Sequence, residues 1–465
     1  MNYHRMNETD FNEIIAIVGK EQAFIGEHIE KDYAHDELGT VLSYPEIHVF
    51  VSDKYQVSKI MTYANEHNIP VTVRGSGTGL VGACVPLYGG ILLDLSKMNK
   101  IIELDKTNLT LRVEPGVILM DIYEHVEKEN LFYAPDPGEK SATIGGNIST
   151  NAGGMRAIKY GVTRDWVRGL EVVLPDGEIV QFGGKVVKNS TGYGLKDLII
   201  GSEGTLAIIV EATLKLIPKP KKTVSLLVPF ASREDAISAA PKLIMDHVLP
   251  TALEFLEKQS LQYSETFLGK KIPHNNYNAY LLISYDGNNE QAIEEDIEIA
   301  SALCVDKYKA LDVFLVDTEE RRKSVWTVRG GFLEAIKAST SQIDECDVVL
   351  PRSNIGAFLE YVRKIADDLN IRIPYFGHVG DGNLHIYFCK DDLSDAEWQE
   401  KLQVGFHALY EKAFSFGGLV SGEHGIGFAK RTFMKKQLGE KQLAIMRGIK
   451  ASFDPKHILN PGKVI

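Results

Sequence analysis

PDPGEKSATIGGNISTNAGGMRAIKYG, Pro135 to Gly161, decides how the first half of this chain is read. Six glycines and clusters of asparagine, serine and threonine fill it, with few large apolar side chains. A segment this long without hydrophobic periodicity is either disordered or functional. Gly145-Gly146 and Gly153-Gly154 permit close approach of the backbone to a flat ligand. Thr143, Asn147, Thr150 and Asn151 supply hydrogen-bonding groups beside them.

Upstream, VRGSGTGLVGACVP (Val73 to Pro86) follows an expected strand. Its closely spaced glycines leave backbone N–H groups able to face an anion such as a pyrophosphate. It is not a Walker loop, because no Gly-Lys-Ser/Thr closes it, and its glycines do not space as GxGxxG. A plain structural turn fits these residues equally well. Downstream, GSEGTLAIIVEATLKL (Gly201 to Leu216) runs from a glycine corner into an apolar strand.

Between and around these stretches the chain alternates helices and short strands. Val57, Ile60, Met61 and Ala64 recur at helical spacing, and Pro70 opens the strand PVTVRG. GGILLDL and LTLRVEPG read as further strands, and Pro175-Asp176-Gly177 signals a hairpin. IPKPKK, Ile217 to Lys222, is the sharpest break in composition and reads as an exposed connector. Beyond it, IGAFLEYVRKIADDLN places Phe358, Leu359, Val362, Ile365, Ala366 and Leu369 on one helical stripe, and RIPYFGHV follows as a strand.

The bulk numbers agree with a multi-domain globular protein. A chain of 465 residues exceeds one ordinary core, and 44% hydrophobic with 25% charged residues is near the globular average. Fifty-one basic against 63 acidic side chains leave a net charge of −12, which disfavours nucleic acid as a partner. No run reaches the roughly 18 to 20 apolar residues needed to span a bilayer, so a transmembrane segment is not expected. The N-terminus carries acidic residues within its apolar part and reads as no signal peptide. Cys84, Cys304, Cys346 and Cys389 stand singly, as reduced cytoplasmic thiols do, and cannot form a ferredoxin-type cluster.

GHVGDGNLHIYF, Gly377 to Phe388, sets two of the thirteen histidines on either side of a tight corner. The corner needs its glycines and asparagine but not the histidines. On a strand, His385 and Tyr387 share a face, and the corner folds His378 back toward them. Two neutral imidazoles so placed suit a divalent transition metal, and SGEHGIG (Ser421 to Gly427) offers Glu423 as a third ligand with His424 as acid/base. Hydrogen bonding around a turn is the other reading of the histidine pair.

Taken in order, the three glycine-bearing stretches resemble the flavin-binding domain of the vanillyl-alcohol oxidase/p-cresol methylhydroxylase superfamily. GHVGDGNLH, SGEHGIGFAK and the ending FDPKHILNPGKV are similar to the FAD-linked D-2-hydroxyacid dehydrogenases, a group that includes the flavin subunit of glycolate oxidase. The resemblance implies an α+β fold with a two-subdomain p-cresol-methylhydroxylase-type FAD-binding domain. It adds an α/β substrate (cap) domain with an antiparallel sheet and a C-terminal segment returning to the FAD domain. The spans expected are 1–45 as a helical lead-in, 46–221 for FAD, 222–410 for substrate and 411–465 for the returning segment.

The resemblance also assigns residues. FAD is expected to contact the loop Arg74, Gly75, Ser76, Gly77, Thr78 and Gly79, with the pyrophosphate there. Pro137, Gly138, Ser141, Thr143, Gly146, Asn147, Thr150, Asn151, Gly153 and Gly161 follow from the second stretch, and Ile209 and Asn460 from the third and the C-terminus. The loop has no histidine for covalent attachment, so the flavin is expected to be non-covalent. His378, His385 and Glu423 are expected to hold zinc, manganese or iron, His424 to be the base, and Arg329 and Asn383 to bind substrate.

The activity implied is oxidation of a small D-2-hydroxy acid, glycolate or D-lactate, to the 2-oxo acid, with hydride passing to flavin N5. Relatives that read a second carboxylate carry a lysine before the position of Pro351; here Asp344, Glu345 and Asp347 stand there, and their charge is expected to repel a dicarboxylate. Electrons are expected to leave to an iron–sulfur subunit, an electron-transfer flavoprotein or a quinone. A flavin oxidase using oxygen directly, and a non-autonomous subunit of a larger complex, are the competing readings. A homodimer or hetero-oligomer fits, in the cytoplasm or held at a membrane through a partner.

Overall fold

Residues 2–246 and 248–465 are described in the computed structural model of the chain. The stripe at Val57, Ile60, Met61 and Ala64 is the buried face of a helix over Lys54–His67. Asp53 caps it by accepting the N–H groups of Tyr55 and Gln56, and Asn68 ends it in the left-handed conformation. Pro70 then starts strand Val71–Arg74.

That strand is the edge of a four-stranded sheet ordered Ala23–Ile25, Ile47–Phe50, Ile91–Asp94, Val71–Arg74. The last three run parallel and only the first is antiparallel. Burial on both faces explains the apolar run Ile91, Leu92, Leu93, where an alternating pattern is absent. A second sheet of five antiparallel strands is ordered Ile101–Asp105, Thr110–Val113, Ile208–Lys215, Val167–Val173, Ile179–Gly183. Its hairpin turns through Gly177 at φ 91°, where a Cβ would fall 2.1 Å from Thr62 Oγ1. One hydrophobic cluster joins the first sheet, the helix and Val173, Ile208 and Val210 of the second.

Contacts divide the chain into two units, Met1–Ala152 with Val162–Lys219 and Glu423–Ile465, and Gly153–Gly161 with Pro220–Gly422. The C-terminal return to the flavin half is direct, since Ile458 and Leu459 are fully buried in the first unit's cluster. The second unit is built on a seven-stranded sheet, antiparallel at every pairing. Its order is Phe314–Val316, Lys222–Phe230, Ala279–Gly287, Ala252–Glu257, Tyr375–His378, Asn383–Cys389, Ile343–Val349. The stripe of IGAFLEYVRKIADDLN forms the helix Ile355–Leu369, burying Phe358, Leu359, Val362 and Ile365.

Four details differ from the sequence expectations. Residues 1–45 are not wholly helical: helix Glu8–Val18 is followed by strand Ala23–Ile25, which pairs with Ile47–Phe50. IPKPKK is only partly a connector, because Ile217–Pro218 pairs with Leu131–Phe132 and Lys222 already opens a strand. The segment 153–161, read as part of the 46–221 domain, groups with the second unit, where Lys159 and Tyr160 bond to Asp286. The return to the first unit begins at Glu423 and not at 411, since Leu419 bridges Val349 and Gly422 is tied to Asp347.

Candidate active site

In the first unit the three glycine-bearing stretches, far apart in sequence, bond to one another. Ser76 donates its hydroxyl to the carbonyl of Ser141 at 2.7 Å. A Cβ on Gly75 would fall 2.2 Å from Thr143 Oγ1, so only glycine permits this approach. Gly201 and Glu203 donate their N–H groups to the carbonyls of Ile148 and Ser149. Helix Ile144–Thr150, capped by Thr143, is thus held between the other two stretches and ends at left-handed Asn151.

Gly77 turns at φ +77°, and a Cβ there would fall 2.0 Å from Arg74 Nη2. Arg74 is buried and donates to the carbonyls of His35 and Asp32, so it braces the loop from behind. Among the described residues, no backbone N–H from Gly75 to Gly79 donates to a protein acceptor. Buried Asn147 Nδ2 and Ser202 Oγ also have no protein partner. Unmet donors of this kind, and a run of glycines with free backbone N–H groups, are the chemistry a phosphate-bearing cofactor needs.

Other expected flavin contacts lie at different places. Asn460 spends its amide on the carbonyls of Ala83 and Glu203, which ties two loops together. Ile209 is buried within strand Ile208–Lys215. Pro137 accepts Lys140 Nζ at its carbonyl, and Gly138 is exposed beside it. Gly153 and Gly161 are the ends of the segment that groups with the second unit.

Glu203 was missed by sequence reasoning. Its carboxylate accepts the N–H groups of Ile426 and Gly427, both at 2.7 Å, and so fixes the loop that carries His424. Gly427, at φ +48°, lies so close to Val81 that a Cβ would meet its carbonyl at 2.2 Å. Burial pushes the Glu203 carboxyl up to about 7, although those N–H groups and the charges of Lys430 and Lys463 pull the other way. On the same loop His424 Nε2 lies 3.7 Å from Glu423 Oε1.

In the second unit the strand register decides the geometry. His378 pairs with Asn383, and His385 with Phe376 and Asp347. Alternation puts Glu345, Asp347, His378, Asn383 and His385 on one sheet face. The two imidazoles meet at right angles with ring centroids 5.4 Å apart. Each is backed by a carboxylate: His378 Nδ1 donates to Glu254 Oε1 at 2.7 Å, and His385 Nδ1 to Glu345 Oε1 at 3.1 Å. In neutral rings this makes Nε2 the lone-pair nitrogen of both, the tautomer a metal ligand requires.

Asn383 donates its amide to Asp347 at 2.7 Å, and the same carboxylate accepts the Ser421 hydroxyl and the Gly422 N–H. Arg329, on helix Glu319–Gly330, sends Nε and Nη2 to Glu254 Oε2 at 2.9 and 2.6 Å and stacks 4.6 Å over Phe376. Burial raises the Glu254 carboxyl, but His378 and Arg329 together outweigh it and hold it below the usual range. Of the three acids expected to repel a dicarboxylate, Glu345 and Asp347 stand on the sheet face of the imidazole pair. Glu345 and Asp347 are engaged inside the fold, and alternation sends Asp344 to the opposite face.

A flavin-type α+β unit and an antiparallel α/β unit bearing a carboxylate-backed imidazole pair define the class, a two-domain flavin oxidoreductase. Residues 45–183 match the FAD binding domain family, and residues 219–464 match the C-terminal domain of FAD linked oxidases. The chain belongs to the FAD-linked oxidase family. It is 46% identical over 453 residues to a D-lactate dehydrogenase of Anaerostipes hadrus, covering 96% of this chain and 95% of the relative. It is 40% identical to the glycolate oxidase subunit GlcD of Bacillus subtilis (strain 168), over 93% and 91% of the two chains. The fold is that of p-cresol methylhydroxylase, with a TM-score of 0.80 at 17% identity over 99% of this chain and 97% of that one. No helix of the described residues is long and apolar enough to cross a membrane.

Proposed function

We propose that the protein oxidises a small D-2-hydroxy acid, D-lactate or glycolate, to the 2-oxo acid, holding FAD non-covalently and a divalent metal on His378, His385 and Glu423. The observation that carries this reading is the imidazole pair with both Nδ1 atoms on buried carboxylates. The names of the two relatives above, one a D-lactate dehydrogenase and one a glycolate oxidase subunit, support the substrate class.

Oxidation at Cα requires loss of the hydroxyl proton together with the Cα–H bond and its electron pair. When bound, FAD would supply the hydride acceptor, its N5, and a zinc, manganese or iron ion held by His378, His385 and Glu423 would supply Lewis acidity. His424 takes the hydroxyl proton, a role suited to an imidazole near neutral pH. Arg329 binds the substrate carboxylate; its planar fork is already oriented by Glu254. Asn383, its amide nitrogen held by Asp347, is the second substrate-binding residue in this reading. The four cysteines, three of them buried, stand singly along the chain with no cluster spacing, which supports a separate electron acceptor: an iron–sulfur subunit, an electron-transfer flavoprotein or a quinone.

The test is anaerobic mixing of flavin-loaded protein with glycolate, D- and L-lactate and D-2-hydroxyglutarate, with and without a chelator. D-lactate or glycolate is expected to bleach the flavin, the chelator to prevent it, and His424→Ala to slow it by roughly 10²- to 10⁴-fold. Flavin that stays oxidised with every acid removes the reading. Unchanged bleaching in His424→Ala removes the base assignment.

A further inference from the structure

We infer that Glu254 is a positioning residue that couples the His378 imidazole to the Arg329 guanidinium, so that metal binding and carboxylate binding are set by one side chain. The inference rests on the ligand and substrate roles proposed above for those two residues. Glu254 is fully buried, and its oxygens divide the work. Oε1 takes His378 Nδ1 at 2.7 Å, and Oε2 takes both Nε and Nη2 of Arg329 at 2.9 and 2.6 Å.

TALEFLE would ordinarily need an apolar residue at this place. Leu253, Phe255 and Leu256 around Glu254 are buried and apolar, and the strand pairs on both sides within the sheet. A carboxylate in such a site costs several kcal/mol in desolvation unless its partners are permanent. A hydrophobic residue of similar volume would serve a purely structural role at least as well. The carboxylate does what no apolar group can: it sets the proton of His378 on Nδ1, and it holds the inner edge of the Arg329 fork. Among the described residues no acceptor bonds Arg329 Nη1, so the outer edge of that fork remains for a planar carboxylate.

A rotation of Glu254 therefore moves both groups at once. Glu254→Gln keeps the shape but replaces one acceptor oxygen by a donor, which must face either His378 or Arg329. Facing Arg329, the amide nitrogen loses that bond; facing His378, it bonds only the tautomer whose proton sits on Nε2, and in both orientations the shared charge is gone.

The experiment uses flavin-loaded protein stripped of metal by a chelator. Zinc and manganese binding is followed by calorimetry, and oxalate binding to the metal-free and reloaded protein by perturbation of the flavin absorbance. Glu254→Gln is expected to weaken metal affinity by roughly 10- to 100-fold and oxalate affinity by about tenfold or more. Arg329→Lys is expected to weaken metal affinity also, although Arg329 carries no metal, and the double variant to lose less than the two losses combined. Metal and oxalate affinities in Glu254→Gln equal to wild type, with only thermal stability lowered, overturn the inference. If Glu254→Gln fails to accumulate, Glu254→Asp and Arg329→Lys carry the same titrations, and unchanged metal affinity in both overturns it. A wild type that takes up neither metal strikes the proposed function itself, whereas a metal-binding wild type beside an unaltered Glu254→Gln strikes the coupling alone.

Discussion

Asp347 accepts the side-chain amide of Asn383 at 2.7 Å from a neighbouring strand and receives the N–H of Gly422 on its other oxygen. One buried carboxylate thus connects the sheet to the loop that leads into Glu423 and His424. A Cβ on Gly422 would fall 2.2 Å from Asn383 Oδ1. Gly422→Ala is expected to displace Asn383 and lower kcat/KM by roughly 100-fold, the cost of a misplacement of about 1 Å. Steady-state turnover with an artificial acceptor, at unchanged flavin content, checks this; wild-type turnover would mean that Asn383 has no part in binding.

Gly77→Ala strains the left-handed backbone and forces Arg74 out of its place behind the loop. The expected result is a loss of flavin affinity of about tenfold, from strain of order 1–3 kcal/mol. The ratio of flavin to protein absorbance after gel filtration reads it. Full flavin retention would separate the 74–79 loop from cofactor binding.

Glu203 gives the first unit a defined pH dependence. Its carboxyl is raised from 4.5 to about 7 in the fold. Between those values the folded state binds the proton and the unfolded state does not, so stability falls as pH rises through the window. The contribution amounts to about 3 kcal/mol once both states are ionised. Thermal melts of wild type and Glu203→Gln from pH 4.5 to 8 are expected to show the wild type losing ground to the variant as pH increases. Parallel profiles would show that Glu203 ionises normally.

Lys159 anchors the segment 153–161 to the second unit through Asp286, which also accepts Tyr160 and Thr251. Lys159→Met leaves a nearly buried carboxylate without its cation, at an expected cost of about 3 kcal/mol. Urea unfolding measures the loss, and limited proteolysis near Met155 is expected to accelerate. A stability change within 0.5 kcal/mol, the range of ordinary surface substitutions, would mean that Tyr160 and Thr251 suffice.

Much of this was legible before any coordinates. The helix at 54–67, the hairpin at Gly177 and the helix at 355–369 follow from local periodicity and turn chemistry, which act between neighbours in the chain. His378 and His385 could be paired because the corner between them is only a few residues long. The carboxylates behind them were not legible. Glu254 lies 124 positions from His378, and Glu345 lies 40 from His385, so no spacing rule joins them. Two cues were present: Glu254 interrupts an apolar strand, and Glu345 and Asp347 alternate along one. The second cue marks a shared face but not the partners on it, because strand register is not written in local spacing.

The amino-acid order alone determined the family, the element types and the chemical groups available: glycine turns, two imidazoles, a Glu-His pair and a forked arginine. Tertiary structure decided which carboxylate orients which base, where segment 153–161 belongs and where the C-terminal return begins. The reason is physical: a hydrogen bond between distant strands depends on register and sheet order, and these are settled by burial of whole faces at once.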